Sequence, residues 1–155
     1  MPETTITIKE LNELKLVGFR VLCSDDQYAD KISQASLRLN ERINEIEQVK
    51  NPSQQYGAFI VENETADEDG YWVCVEVKDY ENIPRDMAKL TIPPQKYAVI
   101  KHIGSNQKIR ASYNELHKWI EENNYIRLKN KWHLEKYYIW NNTENIHVEL
   151  MDTIK

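Results

Sequence analysis

At 155 residues, with 41% hydrophobic and 29% charged side chains, the chain has the size and make-up of one globular domain that buries a core without staples. Its formal net charge of −5 argues against a non-specific phosphate-backbone binder, which needs a basic face. No charged-then-apolar leader opens the sequence, and no apolar run approaches the ~20 residues needed to span a bilayer, so a cytoplasmic protein without a membrane partner is expected.

The elements follow in chain order. Residues 4–9 (Thr-Thr-Ile-Thr-Ile-Lys) alternate and are β-branched, which predicts a strand, and Leu14 to Cys23 form a second one after a short turn. Ser24-Asp25-Asp26 supplies N-cap chemistry. Tyr28, Ile32, Ala35, Leu39, Ile43 and Ile46 then recur at helical spacing, which predicts a long amphipathic helix ending before Asn51-Pro52. Tyr56–Val61 and Tyr71–Val77 are strands, separated by an acidic loop from Glu62 to Gly70. Leu90–Ile92, the turn Pro93-Pro94-Gln95 and Lys96–Ile103 repeat the opening pair. Ile109, Tyr113, Leu116, His117 and Ile120 mark the buried stripe of a second helix. Two strands close the chain, Trp132–Trp140 and Asn145–Met151. The order strand–strand–helix–strand–strand thus occurs twice. We read an α+β fold in which a β-β-α-β-β unit is duplicated about a pseudo-two-fold axis, with residues 4–78 as one repeat and 87–155 as the other. Antiparallel sheet backed by two long helices leaves a cleft between the halves, where small-molecule sites concentrate.

Chemistry-bearing residues are few. Cys23 and Cys74 sit in apolar strand-like runs and are expected to be free buried thiols. His102, His117, His133 and His147 lack metal-ligand spacing, so neither a metal site nor a cofactor is expected. The conspicuous stretch is Trp132 to Trp140. Strand alternation puts His133, Glu135, Tyr137 and Ile139 on one face and Trp132, Leu134, Lys136, Tyr138 and Trp140 on the other. A carboxylate among aromatic side chains is costly unless paired. Its partner is either a neighbouring lysine (Lys129, Lys131 or Lys136) or a ligand.

Several pieces in order and spacing carry a family resemblance: Lys15-Leu16-Val17-Gly18-Phe19, Gln55-Tyr56-Gly57-Ala58-Phe59, Trp72 to Val77, Met87 to Pro93, Lys96-Tyr97-Ala98-Val99, His102-Ile103-Gly104, Leu134-Glu135 and Val148-Glu149-Leu150. Over nearly its whole length the chain resembles the GyrI-like small-molecule-binding family, whose domains also form the effector-binding half of AraC-type and MerR-type bacterial regulators. The resemblance implies a cleft for amphipathic, often cationic, aromatic compounds, with Glu135 as the cleft glutamate ringed by aromatic residues. It also points to Glu149 as a second acidic candidate and to Tyr56 as a cleft aromatic. Two departures alter turns and the C-terminal edge: Pro93-Pro94-Gln95-Lys96 replaces the usual glycine turn, and Met151 to Lys155 replaces the usual Pro-Ile ending. The match begins within about twenty residues of Met1, so no DNA-binding domain and no direct nucleic-acid contact are expected.

Tyr137 shares the face of Glu135 and should line the same cleft. Tyr71, Val73, Val75 and Val77 form an apolar face suited to the core under the helices, which leaves Trp72 on the other face, where the groove is expected. Glu149 fits a cleft wall or a pairing edge, Trp119 fits core or cleft wall, and Trp132 and Trp140 fit packing. The leading expectation is a stand-alone binding domain with Glu135 as counter-ion to an aromatic cation. The resemblance also allows a hydrolase of electrophilic cyclopropane-bearing toxins with Glu135 as its general acid or base, or a protein that acts by binding a protein partner.

Overall fold

A computed structural model describes residues 5–155. Strands β1 (Ile6–Leu11) and β2 (Leu14–Val21) precede helix α1 (Tyr28–Glu41), then β3 (Gln55–Ile60) and β4 (Tyr71–Val77). Strands β5 (Ala88–Ile92) and β6 (Gln95–Gly104) precede helix α2 (Ile109–Glu122), then β7 (Trp132–Ile139) and β8 (Ile146–Ile154). The expected element order therefore holds in both halves. Thr4, placed in the first strand and at the start of the first repeat, lies outside the described residues.

The eight strands of the described residues join one open antiparallel sheet in the order β1-β6-β8-β7-β3-β4-β2-β5. Exchanging β1–β4 for β5–β8 reverses this order, so the topology is symmetric about the β3–β7 seam. Consecutive strands do not simply pair at the start of each half. Instead β1 crosses to β6 and β5 crosses to β2, so each half is edged by the other's first strand.

Both helices cover one face of the sheet. Ile100, Leu150, Glu135, Gly57, Val73 and Phe19 are paired in register from β6 to β2 and so share that face. Beneath α1, Ala35 and Leu39 pack on Val17, Phe19, Val73, Val75 and Val77; beneath α2, Leu116 and Ile120 pack on Ala98, Ile100, Val148, Leu150 and Ile154. Among the described residues no helix covers the opposite face, yet Leu16, Tyr56, Trp72, Cys74, Tyr97, Leu134 and Met151 are buried there. Leu11 from edge strand β1 and Leu90 from edge strand β5 both pack on this cluster, so the sheet curls to cover its own apolar side chains.

Three local departures from the sequence expectation have physical causes. Helix α1 stops at Glu41 rather than near Asn51. Arg42 leaves helical geometry, its guanidinium bonds Glu45 and Asp86, and a single 3₁₀ turn at Ile43–Glu45 lowers the chain toward the sheet, where Val49 bridges Val77. Ser24 precedes a 3₁₀ turn at Asp25–Gln27 rather than α1 itself, and its side chain makes no cap there. Strand β8 continues past Met151 to Ile154, since β6 pairs along its full length, and this brings Asp152 and Thr153 into the interior. No helix among the described residues is long and apolar enough to cross a membrane.

Candidate functional site

A groove of about 320 Å³ opens on the helix-covered face, between α1 and the turn joining β7 to β8. That volume sits at the lower end of small-molecule pockets. Strands β3, β4 and β7 form its base, so it straddles the central seam. Glu135 and Tyr137 line it from β7, Tyr71 and Val73 from β4, Ala29, Ile32 and Leu37 from α1, and Trp140, Asn141 and Thr143 from the turn.

Glu135 is only 7% exposed. Its cross-strand partner is Gly57, and the missing side chain there is the reason the site can form. A Cβ on Gly57 would overlap the Tyr71 hydroxyl, which instead crosses β3 to reach Glu135 Oε1. A glycine inside a strand often marks such a close approach. Tyr113, on the buried stripe of α2, donates to Oε2, and Tyr137 donates to Oε1 at 3.1 Å. Burial first, and the Glu135 carboxylate second, push Tyr71, Tyr113 and Tyr137 well above the ordinary phenol range. These hydroxyls stay protonated at neutral pH and act as donors. Among the described residues no lysine, arginine or histidine pairs with Glu135. Lys136 lies on the other face, against the rings of Tyr56 and Tyr138.

The next polar cluster on this face is of a different kind. Asp152 is 1% exposed and meets Arg127 Nε at 2.8 Å, His117 Nε2 at 2.9 Å and His133 Nδ1. Burial raises the Asp152 carboxyl, but the two histidines and Arg127 outweigh it and hold the group below the ordinary range. Phe59 stacks between His133 and Tyr71, and Tyr113 contacts the His117 ring, so the two clusters are braced against each other.

The other expected site residues scatter. Trp72 and Glu149 lie on the opposite sheet face from Glu135, because their register partners alternate away from it. The sequence correctly separates Trp72 from the Tyr71 face; the correction concerns the groove, which lies under the helices on the Tyr71 side. Trp72 packs edge-on against Trp132 at 5.1 Å, with Arg20 over its ring. Tyr56 borders the groove along β3 while its ring belongs to the opposite cluster. Glu149 is tied to Lys9 at 2.6 Å and to the Tyr138 hydroxyl; burial raises its pKa, and these two partners bring it below the usual range. Trp119 stacks on Tyr125 at 5.7 Å, and both are half-buried against the core under α2. Trp140, expected in packing, lines the groove instead: a register shift between Tyr137 and Ile139 breaks the alternation that assigns it to the far face. In the sequence Tyr71 and Tyr113 read only as core; Gly57 in mid-strand is the available signal of a neighbouring group crossing β3.

The pattern of the GyrI-like small molecule binding domain matches residues 4–152, nearly the whole chain. The protein belongs to this family. Several solved structures share the fold of this GyrI-like domain. SAV2435 bound to tetraphenylphosphonium superimposes with a TM-score of 0.73 at 19% identity, covering 97% of this chain and 94% of that one. The EcmrR C-terminal domain gives 0.72 at 16% identity, with 98% of each chain covered. In its DNA complex, EcmrR matches with a TM-score of 0.73 at 16% identity over 98% of this chain, which spans 57% of that longer one. A hydrolase from Listeria innocua matches at 0.54 with 12% identity, over 100% and 94% of the two chains. Identities this low establish the fold alone. No curated protein sequence matches the chain.

Proposed function

We propose that this GyrI-like domain binds amphipathic aromatic cations in the groove between α1 and the β7–β8 turn, with Glu135 as counter-ion. One observation carries the reading: Glu135 is 7% exposed and hydrogen-bonded by tyrosines, with no cationic side chain among the described residues to neutralise it. A desolvated carboxylate attracts a cation far more strongly than a solvated one. Tyr137 and Trp140 add aromatic surface worth about 0.5–2 kcal/mol per cation–π contact. The tetraphenylphosphonium held by SAV2435 is a ligand of this class. The free thiols Cys23 and Cys74 suit a reducing cytoplasm.

The test is titration with tetraphenylphosphonium, followed through tryptophan fluorescence, for wild type and Glu135→Gln. We expect binding to weaken by about tenfold or more when the charge is removed. Equal affinity in the two proteins would dismiss the counter-ion role.

A second reading is supported by the phenolic hydroxyls held against the same carboxylate. Tyr71, Tyr113 and Tyr137 orient the Glu135 carboxylate and leave about one of its roughly four acceptor positions for a water, an arrangement suited to general-base hydrolysis of an electrophilic ring. Ring-opened product from an aryl cyclopropane electrophile under substrate excess, lost in both Tyr71→Phe and Glu135→Gln, would favour turnover over storage.

A further inference from the structure

We propose that Gln55 is a second ligand anchor, a specificity-determining acceptor that selects cations carrying an aryl N–H or O–H donor over cations of the same shape without one. The proposal rests on the cation-binding reading of the groove and adds to it a requirement that the Glu135 charge alone does not impose.

Gln55 opens β3 and is 3% exposed, yet it lines the groove. Its side chain is on the helix-covered face with Gly57, since the two are separated by one residue of strand. Its Nε2 donates to the Ser36 carbonyl of α1 at 3.0 Å. A backbone carbonyl can only accept, so this bond fixes which end of the amide is nitrogen and sends the oxygen the other way. That oxygen accepts from no described residue, and it is not among the fully enclosed polar atoms that lack a partner. It therefore keeps some exposure, and since Gln55 lines the groove, that is where it can meet a ligand donor.

Its position gives the recognition a geometry. Gln55 pairs with Tyr137 and Gly57 pairs with Glu135 across the same seam, so the two anchors are diagonal neighbours on adjacent strands, about 7–8 Å apart. Glu135 cannot itself read a donor well, because its two oxygens already accept three tyrosine hydroxyls out of roughly four available lone-pair positions. Charge is thus recognised at Glu135 and hydrogen-bonding pattern at Gln55. A site with a buried acceptor discriminates against an analogue that leaves it unpaired.

A matched pair of phenanthridinium dyes tests this: ethidium, with its two ring amines, and the same cation lacking both. Tetraphenylphosphonium is carried as the reference for the charge site. Wild type should prefer the amine-bearing dye by about tenfold. Gln55→Leu should erase that preference by weakening ethidium alone, with the deaminated dye and tetraphenylphosphonium unchanged. Gln55→Met, closer in length, serves as the second variant, with circular dichroism confirming that each is folded. Equal binding of both dyes to wild type, or equal weakening of all three probes in folded variants, overturns the role. Tetraphenylphosphonium binding without dye discrimination fails Gln55 alone. Failure of wild type to bind any of the three cations removes the groove reading and this inference with it.

Discussion

Two carboxylates lie buried on the helix-covered face, Glu135 at the β3–β7 seam and Asp152 in β8, and the protein treats them differently. Asp152 is surrounded by Arg127, His117 and His133, a complete set of basic partners. Among the described residues Glu135 is given hydroxyl donors only, and it opens on a groove. The first arrangement has its basic partners within the protein. The second has no cationic partner among the described residues, which under the proposed function leaves that place to a ligand cation. Glu149, on the far face, follows the Asp152 pattern with Lys9 in weaker, half-exposed form.

This contrast can be broken in stages. The largest effect is expected from Asp152→Asn, which strands Arg127 and His133 in the interior and should cost about 3–5 kcal/mol in chemical unfolding. The same group sets an acid limit. Its folded pKa lies below the ordinary 3.8, so the unfolded chain takes up the proton first; its contribution is complete above about pH 4 and is lost as pH falls below that value. Urea midpoints measured from pH 6 downward should therefore fall in wild type, and more shallowly in Asp152→Asn.

Gly57→Ala comes next. The new methyl group competes with the Tyr71 hydroxyl, so stability should drop by about 1–3 kcal/mol from overpacking, and tetraphenylphosphonium binding should weaken with it. Glu135→Gln sharpens the contrast from the other side. The amide keeps an acceptor for the tyrosines and removes an unpaired charge, so the unfolding free energy should move by no more than about 1 kcal/mol while cation binding weakens by about tenfold or more. A large destabilisation there would make Glu135 a structural carboxylate like Asp152. The smallest change is expected for Lys9→Met. Lys9 is 43% exposed, so solvent screening limits the loss to under about 1 kcal/mol, and groove binding should be unaffected.

Relations along a single element are legible in the sequence. Glu135 and Tyr137 share a face because strand side chains alternate, and the Ile109–Ile120 stripe buries because helical spacing stacks it on one side. Relations between strands are not. Alternation sets Trp72 apart from Tyr71, but which of those faces joins Glu135 depends on the register of β3 against both β4 and β7. Trp140 escapes the same reasoning because a single register shift reverses alternation, and nothing in Tyr138-Ile139-Trp140 announces it. Asp152 and Thr153 have the look of a strand end; pairing with β6 makes them interior.

The sequence by itself determined the order of strands and helices, a strand carboxylate in apolar company and the family to which the chain belongs, all of which rest on local periodicity and motif spacing. Only the tertiary structure decided how that carboxylate is met. Tyr71 and Tyr113 come from 64 and 22 residues away, and they converge on Glu135 because Gly57 leaves room across the seam and α2 lies over the same face. Separations of that length leave no periodic trace in the chain, since the contacts exist only once the sheet has paired.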